Sequence, residues 1–182
     1  MAQRKRGPRP SDQLVGLTER DGGFTTKETS GALNPPGTFA AWEDHERVVE
    51  GPVRSTDIMQ FRRDHGDALD RPGAYFGGYQ EEDTTYLDVS RRFVGPTRVE
   101  RALEFGRQQG QVSVYDVEDD ALHYTHTAPD VPEESQYGYS ERMAQATRSQ
   151  KQARKLEPGP ERSQRVEHMV DAIFEAQNLR RQ

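Results

Sequence analysis

Residues 73–117 have the sequence GAYFGGYQEEDTTYLDVSRRFVGPTRVERALEFGRQQGQVSVYDV, the most apolar and most regularly patterned part of the chain. It contains two runs rich in aromatic and β-branched residues, then one amphipathic helical pattern, then a third apolar run. This order predicts strand, strand, helix and strand, with the third strand lying beside one of the first two. We therefore expect an α+β fold, built on a small β-β-α-β sheet module with the helix packed on one face.

Local signals place each element of this module. Alternation along 84–93 puts Leu87 and Val89 on the core face of the second strand. Thr97 begins the helix with a capping-box spacing, and Gly110 ends it. The pair Gly77-Gly78 lacks the lysine of a phosphate-binding loop and the three-glycine dinucleotide spacing. These glycines are instead expected to allow a β-bulge or the close approach of a neighbouring strand.

The composition limits what the rest of the 182 residues can do. Only 31% of residues are hydrophobic and 31% are charged, so we expect a core in about half of the chain. The sequence has no cysteine, which excludes disulfides and cysteine-ligated zinc. It also has no long apolar run and no signal-peptide pattern, so we expect a soluble protein that is not exported by that route and has no membrane contact.

The sequence before the module reads as an extended N-terminal arm over residues 1–41. Glycines and prolines are frequent there and the apolar residues follow no period, apart from a short strand expected near Phe24. Phe39 and Trp42 are predicted to anchor the arm by packing, and we count them among the partner-binding residues. A basic cluster near the chain start is a secondary candidate for binding nucleic acid, and it consists of Arg4, Lys5, Arg6 and Arg9.

The module is expected to span residues 42–126, beginning with a helix over 56–69. A linker over 127–139 and two helices within 140–182 follow, the first capped by Ser140 and nearly all polar. The last helix, about 161–180, has a clear apolar period and is expected to bury it in the module core or, as the long linker favours, on another subunit. Its predicted partner-binding residues are Val166, Met169, Val170, Ile173 and Phe174.

Few side chains suggest chemistry. Asp88 and Asp116 each lie in or at the end of a predicted strand and could share a metal or act as acid and base, or each could simply accept backbone hydrogen bonds at a turn. His123 and His126 have a ligand-like spacing, but in a strand or loop they point to opposite faces. The remaining histidines read as surface residues. We assign no catalytic residue, no metal site and no cofactor.

Six segments occur in a fixed order: GGFT at 22–25, the helix near Asp57-Ile58, Arg71-Pro72-Gly73, GGY at 77–79, YLDVS at 86–90 and QVSVYD at 111–116. In this order they resemble a family of uncharacterised proteins from tailed bacteriophages and prophages of actinobacteria. The resemblance covers about residues 22–117 and departs from the family pattern between Thr29 and Trp42, where the spacing is longer. It implies phage context and brings no known activity.

Together these features predict a non-enzymatic structural or assembly protein of a phage particle, located in the virion or in the cytoplasm of the infected host. Its expected partners are copies of itself or other phage structural proteins. The alternative is a soluble phage accessory protein that binds a host factor or nucleic acid through its basic ends. An enzyme that uses Asp88 and Asp116 is a third possibility, and it requires that the two carboxylates share one pocket.

Overall fold

The computed structural model describes residues 10–27, 33–81 and 83–180. The fold is α+β, as predicted, with a six-stranded sheet and helices at both ends of the chain. The strands are β1 (Gly23–Thr26), β2 (Thr38–Glu50), β3 (Ala74–Glu81), β4 (Thr84–Phe93), β5 (Ser113–Asp116) and β6 (Ala121–Tyr124). The helices are α1 (Pro10–Asp21), α2 (Ser55–Asp64), α3 (Gly66–Leu69), α4 (Arg98–Gln109), α5 (Gln136–Lys155) and α6 (Pro160–Leu179).

The strand order in the sheet is β1-β3-β4-β2-β5-β6. The predicted hairpin of β3 and β4 is present, antiparallel from Ala74 opposite Arg91 to Glu81 opposite Thr84. β5 does not lie beside β3 or β4, so that prediction is wrong. It pairs antiparallel with β2, with Thr38 opposite Asp116, and with β6 on its other side.

The displacement of β5 follows from β2, which the sequence did not predict as a strand. Its sequence TFAAWEDHERVVE looks apolar at one end and charged at the other. In the sheet the charged part alternates between half-buried residues, such as His45 and Val49, and exposed residues, such as Asp44 and Glu46. A strand that buries so few apolar side chains gives a weak sequence signal, because its pairing comes from the backbone.

The contacts divide the chain into two compact units, which differ from the boundaries predicted at 41, 126 and 139. Unit 1 holds the described residues up to Pro35 together with Asp44–Arg91. Its core stacks the Phe61 and Phe76 rings, with centroids 5.1 Å apart. Leu87 and Val89 are fully buried, as the strand alternation predicted.

Unit 1 also contains α1, where the sequence predicted an extended arm. Leu14 and Thr18 of α1 are buried, and the Thr18 hydroxyl donates to the Leu14 carbonyl. The Ser55 hydroxyl at the start of α2 donates to the Asp12 carboxylate of α1. Because α1 carries little apolar surface, its stability depends on these tertiary contacts more than on its own period. The strand predicted near Phe24 is confirmed as β1.

Unit 2 comprises Pro36–Glu43 and the described residues from Arg92 onward. α4 runs from Arg98 to Gln109, and Gly110 ends it in the left-handed conformation, as predicted. The Thr97 side chain makes no capping hydrogen bond. The core of this unit is formed by Ala40, Phe93, Ala102 and Val114, with Leu103 and Phe105 packed against it.

α5 begins at Gln136, four residues before the predicted cap at Ser140. The Gln136 amide donates to the carbonyl oxygens of Ala128 and Val131, which fixes the turn that enters the helix. Ser140 therefore lies inside α5, and its hydroxyl donates to the Val112 carbonyl at 2.7 Å. The predicted linker ends in a short 3-10 turn, Glu133–Ser135.

Candidate protein-interaction surface on the last helix

α6 forms an antiparallel hairpin with α5 in unit 2. Pro160 opens α6 at a position where a missing backbone N–H costs nothing. The Arg142 guanidinium of α5 pairs with the Glu175 carboxylate of α6 at 2.9 Å. Arg180, just past the helix, pairs with Asp130 at 2.9 Å. These contacts fix which face of α6 turns toward α5.

The face of α6 that is buried carries small side chains. Ala172 and Ala176 are 3% and 1% exposed, while α5 contributes buried alanines and serines to the interior of unit 2. Small residues let two helices approach closely, so they fill the narrow space between the axes. Larger apolar side chains on other faces of α6 are therefore left outside this contact.

Three large apolar side chains of α6 face outward in a row. Val166 is 39% exposed, Val170 is 51% exposed and Phe174 is 62% exposed. They are four residues apart, so they lie on one side of the helix, and we call them the α6 stripe. Met169 and Ile173 are half-buried beside it. All five are residues that the sequence predicted for partner binding, and the chain's own core does not bury the stripe.

Charged side chains border the N-terminal half of the stripe. Arg162 and Glu167 are both exposed, and within the described part of the chain neither makes an ion pair. The same end of the helix has a shallow surface depression, lined by Pro158, Gly159, Arg162, Ser163, Val166 and Glu167. The surface thus offers an apolar row, a hollow and two unpaired charges of opposite sign.

Phe39 and Trp42 both pack within unit 2. Phe39 is only 5% exposed, so its side chain belongs to the interior and offers no surface to a partner in this structure. Trp42 is half-buried and meets the Phe105 ring edge-on, with centroids 5.8 Å apart. Their predicted role as packing anchors agrees with these positions.

Asp116 has the ordinary structural role that the sequence allowed. It is fully buried, and its carboxylate accepts hydrogen bonds from the Thr38 hydroxyl and Arg98 Nε, each at 2.8 Å. The backbone N–H groups of Glu118 and Asp119 also donate to it. Burial by itself would raise its pKa, but these donors together hold the pKa below its usual range. Every contact serves to lock the end of β5.

Asp88 has a different environment, in unit 1. Its carboxylate accepts a hydrogen bond from the Ser90 hydroxyl and lies over Gly77, where an added Cβ would be 2.7 Å from Asp88 Oδ1. The pKa of Asp88 is raised to about 6, mainly by burial. The hydrogen bond from Ser90 lowers the pKa, and the nearby charge of Glu46 raises it. The hydrogen-bond partners of Asp88 and Asp116 are thus separate sets, each within its own unit.

Sequence reasoning missed a histidine pair in unit 1. His45 Nδ1 and His65 Nδ1 are 3.1 Å apart, and the Phe61 ring lies 4.4 Å from the His65 ring. One Nδ1 must donate and the other accept, so the contact requires at least one neutral imidazole. The pKa of His45 is lowered, mainly by burial and to a smaller extent by the neighbouring His65 and Arg71. The two histidines are 20 positions apart in the sequence, and no local pattern links them, because β2 and the end of α2 bring them together only in the fold.

The remaining residues that the sequence suggested for nucleic-acid or metal binding lie in three different places. Arg4, Lys5, Arg6 and Arg9 lie outside the described residues. Two basic side chains of α5 already have acidic partners: Arg142 pairs with Glu175, and Lys151 donates to Glu43. His123 and His126 belong to a strand and the loop after it, as expected.

Within the described ranges, no group of three or more histidine, aspartate or glutamate side chains is arranged to hold a metal ion. No helix of the described chain is long and apolar enough to cross a membrane. The chain matches no protein-family model, no curated protein and no solved structure.

Proposed function

We propose that this chain is a non-enzymatic structural or assembly protein of a bacteriophage particle, and that it binds neighbouring protein subunits through the α6 stripe. The observation that carries the binding role is the outward row of Val166, Val170 and Phe174, up to 62% exposed, on a helix already held by α5. A contiguous apolar row with a polar border is typical of a protein-binding surface.

The phage setting is supported by the motifs that resemble actinobacterial phage proteins. Three of them, GGFT, GGY and YLDVS, lie on the strands β1, β3 and β4, which are neighbours in the sheet. Their order in the sequence therefore corresponds to one packed group in unit 1. The proposed location is the virion or, before assembly, the cytoplasm of the infected host.

The size of the stripe sets what a partner must supply. Fully burying a valine or phenylalanine side chain is worth about 1.5–3 kcal/mol, and the stripe residues are roughly half exposed. Covering all three therefore contributes about 3 kcal/mol, less than the cost of bringing two proteins together. The stripe must be the centre of a larger contact, or it must act in an assembly where many copies bind at once.

The experiment measures incorporation into particles. Phage particles produced with wild-type chain or with Val170→Asp are purified, and the chain is quantified by mass spectrometry. The charge placed in the middle of the stripe should reduce incorporation at least tenfold, because burying an unpaired carboxylate is unfavourable. Val94→Asp is the matched control, since Val94 is 52% exposed and lies between β4 and α4 in the chain.

Two results would contradict the proposal. One is a wild-type chain that does not copurify with particles in stoichiometric amount. The other is a Val170→Asp chain that is incorporated as well as the control while its circular dichroism remains that of the wild type.

A further inference from the structure

The α6 stripe belongs to a longer heptad seam. Val166, Val170 and Ile173 are spaced by four and three residues, as the core positions of a two-helix coiled coil are. Ser163 and Gln177 continue the same line by one turn at either end. Both end residues are small or polar and exposed, so the seam ends where α6 leaves its apolar section.

The residues beside such a seam determine which way a partner helix runs. In a parallel pair, a residue on one flank meets the residue five positions later on the opposite flank of the other helix. Arg162 and Glu167 have this spacing, carry opposite charges and are both exposed. The next such pair is Met169 with Phe174, a thioether against an aromatic ring.

We propose that α6 pairs with α6 of a second copy of this chain, parallel and in register. Two-fold symmetry then forms the ion pair of Arg162 with Glu167 of the second copy twice. It also covers Phe174, the most exposed stripe residue at 62%, with Met169 of the second copy. This inference rests on the proposed use of the stripe in protein binding and names the occupant.

The antiparallel arrangement fits the same residues poorly. There, residues on one flank meet residues on the same flank of the partner. In one register Glu167 would face Glu167 of the second copy. In another register, Glu167 would lie against Phe174 of the second copy, and Val166 would pack against the polar Gln177 of the second copy in the seam. Either register leaves a carboxylate without a cation, and Arg162 has no acidic neighbour across the seam.

The hairpin prepares α6 for this pairing. An isolated helix of this length is marginally stable in water. Two separate α6 peptides would therefore have to fold into helices at a cost in free energy before they could pair. Here Ala172 and Ala176 already hold α6 on α5, and Arg142 fixes Glu175. Two such hairpins side by side form an arrangement of four helices. The two α6 helices contact each other, and each α5 packs only on the α6 of its own chain.

Orientation is tested by single cysteines in the full chain, because the natural sequence has none. Ser163→Cys and Gln177→Cys place thiols at core positions near the two ends of the seam. In a parallel pair each residue meets its own copy at a distance that a disulfide spans. In an antiparallel pair the equivalent residues are about 20 Å apart along the helix. We expect each variant to form a disulfide-linked dimer by itself under mild oxidation.

Register is tested by exchanging the two charges. Arg162→Glu and Glu167→Arg should each weaken the dimer about tenfold in sedimentation, because each change puts like charges together at both symmetric positions. The double variant R162E/E167R should recover wild-type affinity. Arg165→Glu is the matched control: it makes the same change of charge on the α5 side of α6, and its dimer should resemble the wild type.

Other results would overturn the inference. Disulfide formation only in a mixture of the two cysteine variants would show an antiparallel pair. A double variant no better than the single variants would show that these charges do not face each other. A full chain that stays monomeric at millimolar concentration, yet enters particles only when the stripe is intact, would overturn this inference alone. The proposed function would then hold with a different protein as the occupant.

Discussion

At the residue scale, Asp116 shows how a candidate for chemistry becomes a structural residue. Its carboxylate has no exposure, while Arg98 beside it retains 18% of its side-chain exposure. Four donors converge on it: a hydroxyl, a guanidinium and two backbone N–H groups. A buried carboxylate with its hydrogen-bonding capacity satisfied in this way holds chain segments together.

We expect Asp116→Ala to lower the free energy of unfolding by about 3–5 kcal/mol, because it leaves the buried Thr38 hydroxyl and Arg98 without their acceptor. Urea denaturation measures the change. Glu118→Ala is the control, since Glu118 is 43% exposed and 3.5 Å from Arg98 Nε, and it should cost less than about 1 kcal/mol. Equal losses for the two variants would contradict this role.

The same carboxylate predicts a dependence on pH. The pKa of Asp116 is lower in the folded chain than in the unfolded chain, so the ionised form is the one that folding favours. Its contribution is fully present above the unfolded pKa of about 4 and is lost as the pH falls through the lower folded value. Between about pH 5 and pH 2, the free energy of unfolding should therefore decrease less steeply in Asp116→Asn than in the wild type, as measured by denaturation at each pH.

Asp88 should behave in the opposite way, because its pKa is raised to about 6 from an ordinary 3.8. The folded chain then holds the proton more tightly, and stability decreases as the pH rises between these two values. We expect Asp88→Asn to raise the free energy of unfolding by between about 1 and 3 kcal/mol at pH 7.5, and to leave it unchanged near pH 4. Denaturation at the two pH values tests this.

Asp83→Asn provides the comparison for that measurement, because Asp83 is an exposed carboxylate at the turn between β3 and β4. The change in free energy of unfolding that Asp83→Asn causes relative to the wild type should be the same at both pH values within error. A gain for Asp88→Asn of the same size at pH 4 and pH 7.5 would show that the effect is not due to the charge.

At the element scale, the two adjacent glycines of β3 accommodate side chains from both neighbouring strands. Asp88 of β4 lies over Gly77, and the Phe24 ring of β1 lies over Gly78. The sequence predicted that these glycines allow a bulge or the close approach of a neighbouring strand. The register of β3 and β4 runs through them without a bulge, and each glycine leaves room for a side chain from a neighbouring strand. The motifs GGFT, GGY and YLDVS thus contribute to one contact set, in which the glycines leave room for an aromatic ring and a carboxylate.

We expect Gly78→Ala to destabilise unit 1 by about 1–3 kcal/mol through overpacking, because its Cβ would be 2.4 Å from Phe24 Cε1. Gly66→Ala is the matched control: nothing lies within 4 Å of its Cβ, and its stability should be unchanged or slightly higher. Thermal unfolding measures both. Combining Gly78→Ala with Phe24→Ala should cost less than the sum of the single changes.

The elements themselves were predictable where their own residues carry the signal. β3, β4, α4 and α6 have a strand or helix period, and their ends carry glycine, proline or capping residues. α1 and β2 were missed because few of their residues are buried and apolar. α1 buries Leu14 among polar residues, and β2 alternates charged side chains. Such elements depend on partners distant in sequence.

At the scale of the whole molecule, the proposed self-association through α6 predicts a link between stability and protein concentration. If the folded chain dimerises and the unfolded chain does not, the melting temperature must rise with protein concentration. We expect this rise in the wild type and its loss in Val170→Asp, with the two chains alike at the lowest concentration. Calorimetry over a hundredfold range of concentration measures it. A concentration dependence retained in Val170→Asp would place the interface elsewhere.

The sequence alone determined the α+β class, the hairpin of β3 and β4, the face of β4 that is buried and the apolar row of α6. These features follow from periods and turn residues that act over a few positions. Three further features could be seen only in the folded chain: β2 lies between β4 and β5, His45 meets His65, and Asp116 binds Thr38 and Arg98. The tertiary structure also decided that Ala172 and Ala176 of α6 are buried while the larger Val166, Val170 and Phe174 remain exposed. The reason is that these contacts join segments far apart in the chain, and no local pattern specifies which segments meet.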